Sequence, residues 1–316
     1  MRRKTRLTPL LLALCLLLFG CGAAGQQEES APPKLTASPN TASSGNRLYY
    51  KAPPFASSEF HEDLAEGDGT VKIDLSATSD GYIAVSAKSE HKLKFQVLKD
   101  DWTYTYNLAS DGTPSIVPLQ CGNGHYTFRV MENISSNKYA RIFLTERDVI
   151  LRDEFQPFLR PSDIANYSEQ SECVRKAAQL ASVCSTKLDV VSRVYAFICE
   201  TVRYDYEKAS SVKTIYLPDV DETMRSGKGI CFDYAALAAA MLRSQGIPTK
   251  VIFGYVAPND LYHAWNTFYT EESGWVVVSF EVRENSWSRI DLTFSAGGAD
   301  ESFIGNGSNY TDVYFY

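Results

Sequence analysis

Short runs of alternating apolar and polar residues fill the chain from residue 70 to residue 145. Such alternation predicts strands with one buried face, and turn sequences such as Asp111-Gly112 separate the runs. Short strands at this spacing are typical of a β-sandwich, so residues 47–150 are predicted to form a sandwich-like all-β module that binds a ligand or packs as a structural partner. The predicted strands are 71–75, 82–86, 93–98, 102–108, 125–131 and 139–145.

The hydrophobic period changes in the second part of the chain. Apolar residues there recur at helical spacing, and Gly246 followed by Pro248 marks the end of one such helix. Segments rich in β-branched and aromatic residues follow and are predicted to be strands. Residues 151–316 are therefore predicted to be a separate α+β domain. Its predicted helical segments are 171–206 and 231–245, and its predicted strands are 249–256, 262–270 and 275–282.

Cys231 is the first candidate for chemistry, because it falls in the first turn of a predicted helix, directly after Lys228-Gly229-Ile230. Unpaired backbone N–H groups and the helix dipole favour a thiolate at this position. We therefore expect the pKa of this thiol to lie below its free value of about 8.5. A buried, inert cysteine is the ordinary alternative.

His263 is the natural partner for this thiol. It stands at the entrance of a predicted strand, and of the four histidines in the chain it is the one that follows Cys231 closely in sequence. A third group would orient the imidazole, and a carboxylate does so better than the hydroxyl of Ser279. Asp291 is the predicted orienting acid, and Glu281 is the alternative.

Six segments follow one another along this part of the chain: Gly229-Ile230-Cys231, Leu242-Arg243, Gly246-Ile247-Pro248, Gly254-Tyr255, His263-Ala264-Trp265 and residues 287–293. Together they resemble the transglutaminase-like superfamily from about residue 165 to the C-terminus. The resemblance implies a papain-like core, in which the cysteine caps a helix packed on an antiparallel sheet. It also implies a Cys-His-Asp triad of Cys231, His263 and Asp291. Leu292 stands where the family often has a proline, which alters the local backbone restraint and removes no reacting group.

The implied activity is acyl transfer or hydrolysis on protein or peptide amides through a thioester intermediate. The backbone N–H of Cys231 is a predicted donor to the oxyanion. Cell-wall peptide is one candidate substrate, and the triad does not determine whether water or an amine accepts the acyl group. The alternative function is a non-catalytic surface protein that retains the fold for binding.

The N-terminus predicts export. Basic residues precede an apolar run at 7–19, which is shorter than the roughly 20 residues of a membrane-spanning helix and suits a signal peptide. The run ends in Leu18-Phe19-Gly20-Cys21, which resembles a bacterial lipobox. We therefore expect residues 1–20 to be a lipoprotein signal peptide, Cys21 to carry lipid, and residues 21–46 to be a flexible tether. The mature protein would be anchored to the outer face of the bacterial cell membrane. An ordinary signal peptide cut elsewhere is the alternative.

Charge and cysteine content bear on partners and cofactors. A net charge of −7 argues against nucleic acid as a partner. The chain has no CxxC pair or histidine cluster, so no metal or other cofactor is expected. Beyond Cys15, Cys21 and Cys231, four of the seven cysteines remain, and they permit either disulfides or buried free thiols. They are Cys121, Cys173, Cys184 and Cys199.

Overall fold

The computed structural model describes residues 49–212, 216–256, 261–278, 281–283, 286–288 and 310–316. All of these lie in the compact unit Arg47–Tyr316. The predicted signal peptide, the predicted tether at 21–46, and the candidate residues Cys21 and Asp291 lie outside the described residues. The predicted domain boundary at residue 150 stays a prediction.

Strands dominate the described chain up to Val149, and α-helices begin at Glu172. The described strands are β1 (Glu66–Gly67), β2 (Val71–Asp74), β3 (Tyr82–Ala87), β4 (Leu93–Lys99), β5 (Trp102–Leu108), β6 (Ser115–Pro118), β7 (Gly124–Ser135), β8 (Lys138–Val149), β9 (Arg203–Tyr204), β10 (Lys228–Gly229), β11 (Thr249–Val256), β12 (Leu261–Thr270), β13 (Gly274–Val278), β14 (Glu281–Arg283), β15 (Ser286–Ser288) and β16 (Tyr310–Phe315). The described helices are α1 (Glu172–Ala181), α2 (Lys187–Thr201), α3 (Tyr206–Ser211), α4 (Val220–Ser226) and α5 (Cys231–Arg243).

Two four-stranded antiparallel sheets form the first part, with strand orders β1-β2-β3-β6 and β5-β4-β7-β8. Alternate residues such as Ile73 on β2 and Phe95 on β4 are fully buried in one shared core. Burying a side chain of this size contributes about 1.5–3 kcal/mol. The α+β class with a preceding sheet region is thus confirmed. Strand β6 was not predicted, because its four residues are too short to show a period.

The second part is built around α5 and the antiparallel sheet β13-β12-β11-β16. Helix α5 packs on β11 and β12, while α1, α2 and α4 cover it from the other sides. Every residue from Asp233 to Arg243 is buried, as expected for a helix enclosed on all faces. The predicted strand at 275–282 is wrong at its C-terminal end. Strand β13 ends at Val278, and Glu281 lies on β14, which pairs with β15.

Aromatic packing joins the first part to the second. The ring of Tyr316, which follows β16, lies 5.4 Å from that of Tyr104 and 5.7 Å from that of Tyr106, both on β5. The core of the first part also includes Ala235 and Ala239 of α5. The helix that begins at Cys231 therefore rests on both parts.

Arg243 anchors the far end of α5. Its guanidinium is almost completely buried and donates to the backbone oxygens of Thr249 (2.8 Å), Arg160 (2.9 Å) and Tyr316 (2.9 Å). Burial lowers the pKa of Arg243 to about 10, so the side chain stays charged at neutral pH. Three oxygen acceptors offset the cost of burying the charge and tie the helix to β11 and to the end of β16.

Gly254 on β11 supports a stability prediction. It pairs with His263, and a Cβ atom there would lie 2.0 Å from the backbone oxygen of Thr311 and 2.8 Å from the ring of Trp265. Gly254→Ala is expected to destabilise the protein by about 2–3 kcal/mol, as overpacking does in other cores. Differential scanning calorimetry should show a melting temperature lower by roughly 4–10 °C.

Gly69→Ala is the control for this substitution. A Cβ atom at Gly69 would meet nothing within 4 Å, so its free energy of unfolding should change by less than about 0.5 kcal/mol. Equal melting temperatures for the two variants would show that β11 and β16 do not approach each other at Gly254 as described.

Candidate active site

Cys231 is the first residue of α5, as predicted. Ile230 caps the helix with an extended backbone (φ −97°, ψ 176°) and offers no side-chain acceptor. Asp233 instead fixes the start of the helix by a hydrogen bond, because its Oδ2 accepts the N–H of Ile230 at 2.7 Å. A Cβ atom at Gly229 would lie 2.7 Å from the Cβ of Asp233, so a glycine is needed where the chain approaches this carboxylate. The turn before the thiol is therefore set by Gly229 and Asp233.

The sulfur of Cys231 lies against the start of its own helix and against β12. It accepts hydrogen bonds from the backbone N–H groups of Ala264 and Phe232, and the thiol is half-buried. Burial nevertheless raises the pKa of the Cys231 thiol, and the charge of Asp233 raises it further. The predicted lowering of this pKa is wrong, because the N–H groups stabilise the thiolate by less than the loss of water destabilises it.

His263 lies on β12, paired with Gly254 of β11. It immediately precedes Ala264, whose N–H contacts the sulfur of Cys231. The imidazole is half-buried and nearly parallel to the ring of Trp265, with the ring centroids 6.4 Å apart. The fold thus brings the thiol to the residue adjacent to His263. A proton exchange between the two side chains stays a prediction.

The orienting acid stays a prediction as well. Asp291 lies outside the described residues. Glu281 belongs to β14, which pairs with β15 in a two-stranded sheet separate from the sheet that carries His263.

Asn266 is a positioning residue that the sequence did not single out. It is fully buried, and its Nδ2 donates to the backbone oxygens of Ala235 on α5 and Lys250 on β11, both at 3.0 Å. Its Oδ1 accepts from the hydroxyl of Tyr195 on α2 at 3.2 Å. This amide locks β12 to α5 one turn beyond Cys231. The signal available in the sequence was a carboxamide side chain three places after His263.

Two tyrosines lie close to the thiol, Tyr204 and Tyr262. Burial raises the pKa of the half-buried Tyr204, and the neighbouring Cys231 adds to this effect. The pKa of Tyr262 is raised as well, first by partial burial of its hydroxyl and then by neighbouring groups that include Cys231. Tyr262 and Tyr255 are both exposed, with ring centroids 5.5 Å apart. Exposed tyrosine rings combine an apolar surface with a polar tip, which suits contact with a peptide chain.

The cysteines in the described part of the chain are all free thiols. Of the two alternatives that the sequence left open, disulfides or free thiols, the structure therefore shows free thiols there. Cys173 and Cys184 are buried, and burial raises the pKa of both. Cys121 is half-buried, and its pKa is raised for the same reason.

Alkylation of Cys231 should therefore depend steeply on pH. Because only the thiolate reacts, iodoacetamide labelling of Cys231 is expected to accelerate about tenfold per pH unit between roughly pH 7 and 8.5. Cys173 and Cys184 should remain slow throughout this range, since burial blocks the reagent. Peptide mapping by mass spectrometry would measure each rate, with the denatured protein as the reference for full labelling. A labelling plateau near neutral pH would contradict this prediction and would reveal a thiolate–imidazolium pair in the free protein.

The described residues contain no group of three or more His, Cys, Asp or Glu side chains arranged to hold a metal ion. Across the same residues, no helix combines the length and apolar character needed to cross a membrane.

Residues 175–280 match the family model of the transglutaminase-like superfamily, and this range contains α5, Cys231 and His263. The chain thus carries a transglutaminase-like fold, which confirms the resemblance over that range. A search of curated protein sequences found no significant match.

The chain is similar to several solved structures, at low sequence identity and low TM-score. A candidate cysteine protease from Cytophaga hutchinsonii is 17% identical with a TM-score of 0.36, over 61% of this chain and 68% of that protein. A TGase structure is 21% identical with a TM-score of 0.32, over 42% and 37% of the two chains. Red sea bream transglutaminase is 13% identical with a TM-score of 0.28, over 63% and 47%. The chain thus spans less than half of both transglutaminases, and a likeness at this level carries no information about activity.

Proposed function

We propose that this protein is a cysteine-dependent acyltransferase or peptidase acting on amide groups of proteins or peptides. One observation carries the proposal. The thiol of Cys231 lies at the start of the central helix of a transglutaminase-like region, hydrogen-bonded to the backbone N–H that follows His263. Helix-start N–H groups next to a nucleophile are suited to bind the oxyanion formed during acyl transfer.

The proposed reaction begins from a protonated thiol. His263 takes the proton as the sulfur attacks the carbonyl carbon, and the carbonyl oxygen becomes an oxyanion that accepts from the N–H of Cys231. The intermediate collapses, the C–N bond breaks, and the leaving amine takes the proton from His263. A thioester on Cys231 remains. Water then yields a carboxylic acid, or a second amine yields a new amide, and either step restores the thiol. Asp291 is proposed to hold the imidazole in the tautomer that accepts the thiol proton.

Thioester trapping tests this proposal directly. The purified protein would be incubated with a peptide library rich in side-chain amides, quenched in acid and mapped by mass spectrometry. An acyl adduct on Cys231 that hydroxylamine removes is the expected result, with Cys231→Ala as the control. Repeating the reaction with a primary amine separates hydrolysis from transamidation by the mass of the product. Adducts that also form on Cys231→Ala, or no adducts at all, would contradict the proposal.

A binding protein that retains the fold without catalysis is the second candidate function. The raised pKa of the Cys231 thiol favours it, because a protonated thiol is a poor nucleophile without a working base. Trapping separates the two candidates, since a binding protein would retain peptides without forming a bond to sulfur.

The proposed location is the outer face of the bacterial cell membrane, with Cys21 diacylated. Two acyl chains anchor a protein far more firmly than one. Cys21→Ser is expected to release the protein into the medium or to leave the signal peptide uncleaved, as measured by fractionation and intact mass. Ser44→Ala, in the predicted tether, is the control and should leave the protein membrane-bound. Normal processing and retention of Cys21→Ser would contradict lipidation at this residue.

A further inference from the structure

Three polar side chains meet beside the turn that carries Cys231. Asp233 has no exposed surface, and its Oδ2 lies 2.8 Å from the Nζ of Lys208. The hydroxyl of Tyr216 donates to Oδ1 of the same carboxylate. Lys208 also donates to the oxygen of Tyr216 at 2.5 Å, and the three side chains thus form a closed cluster.

The cluster links two residues from earlier in the chain to the turn at Gly229-Ile230-Cys231, here called the thiol turn. Lys208 lies on α3 and Tyr216 precedes α4, whereas Asp233 is the third residue of α5. A buried carboxylate is stable only when donors compensate its lost hydration, and here Lys208, Tyr216 and the N–H of Ile230 supply them. The bond to Ile230 in turn holds the backbone immediately before Cys231. Lys208 and Tyr216 therefore act on the thiol turn through the side chain of Asp233.

The charge of this carboxylate also reaches the sulfur. Asp233 raises the pKa of the Cys231 thiol, so a cation placed on Asp233 reduces the repulsion that the thiolate meets. The other titratable groups around the sulfur are Tyr204 on β9, with Tyr262 and His263 on β12. Lys208 is the member of the cluster that carries a positive charge, and its Nζ lies directly on the carboxylate of Asp233.

We propose that Lys208, Tyr216 and Asp233 form a positioning unit for the nucleophile. Asp233 holds the N–H of Ile230 so that the turn presents the sulfur to β12, and Lys208 cancels the charge that Asp233 would otherwise present to the forming thiolate. The proposal rests on the proposed function in taking Cys231 as the nucleophile. It assigns residues outside the predicted triad to the preparation of the thiol.

Lys208→Met in the full-length protein is the primary test, read as the rate of iodoacetamide labelling of Cys231 at pH 8. Removing the cation leaves the charge of Asp233 uncompensated, so labelling should slow by roughly threefold to tenfold. In Lys208→Met/Asp233→Asn both charges are absent, and labelling should return to within about twofold of the unmodified protein. A merely structural role would make the double variant slower than Lys208→Met, because two contacts would be lost.

Two matched variants complete the test. Lys228→Met removes the same charge from an exposed residue on β10 and should change the rate by less than about twofold, because solvent screens it. Lys208→Arg keeps the charge and should also stay within about twofold of the original rate. Thermal unfolding would verify that each variant folds, and Lys208→Gln would replace Lys208→Met if the latter is unstable.

The proposal is overturned if Lys208→Met and Lys228→Met label equally fast, or if the double variant is the slowest of all. Labelling needs no substrate, so this result is independent of thioester trapping. Failed trapping with slow labelling of Lys208→Met would refute the proposed function and leave the positioning unit standing. Successful trapping with unchanged labelling would refute only the positioning unit.

Discussion

Cys231→Ser is expected to reduce acyl transfer by about 10³-fold or more. Serine has nearly the same size, so α5 should begin normally. Its hydroxyl is much harder to deprotonate than a thiol, and the burial that raises the pKa of Cys231 would oppose the charged form of serine as well. The measurement is turnover of the peptide identified by trapping, with the melting temperature recorded for each variant.

Cys121→Ser is the matched control for this experiment. Cys121 is also a half-buried thiol with a raised pKa, but it lies among residues of the first part of the chain, next to Tyr104 and Lys99. Its replacement should leave turnover within about twofold. If Cys231→Ser kept a tenth of the original activity, the nucleophile would have to be sought elsewhere.

Asp291→Asn is expected to reduce turnover by a factor on the order of 10 to 10³. Removing the acid of a serine-protease triad costs more, about 10⁴ in turnover, but a thiol gives up its proton more readily than a hydroxyl and depends less on the third group. A carboxylate raises the pKa of a neighbouring imidazole by stabilising its charged form. Its loss should therefore lower the pKa of His263 and move the acid limb of the kcat/KM profile to lower pH.

Glu281→Gln is the companion variant, because the sequence offers Glu281 as the alternative acid. It should change neither the turnover nor the position of the acid limb. If Glu281→Gln produces both effects and Asp291→Asn produces neither, the C-terminal part of the resemblance is misaligned and the site must be redrawn around Glu281. The pH profile matters here because a general loss of stability would reduce turnover without moving the limb.

The elements that carry the candidate site could be predicted because their signals are local. Helix α5 begins at Cys231 as predicted and ends at Arg243, two residues before the predicted end, since its apolar period and the following Gly246 are read within a few turns. Strand β11 matches its predicted range of 249–256, and β12 begins one residue earlier than predicted. Strand β16 was missed, because it completes the sheet by pairing with β11, which lies more than fifty residues earlier in the chain.

The sequence by itself determined the order of strands and helices, the placement of Cys231 at a helix start and the superfamily of residues 175–280, because each depends on neighbours along the chain. Only the tertiary structure decided the direction of the pKa shift at Cys231 and which side chains lie around the turn that carries it. Burial beneath β12 reverses the pKa shift expected from the helix alone, and Lys208 and Tyr216 reach Asp233 through folding of a distant segment. Desolvation and buried charge pairing depend on which surfaces meet in space, and that information is spread over the whole chain.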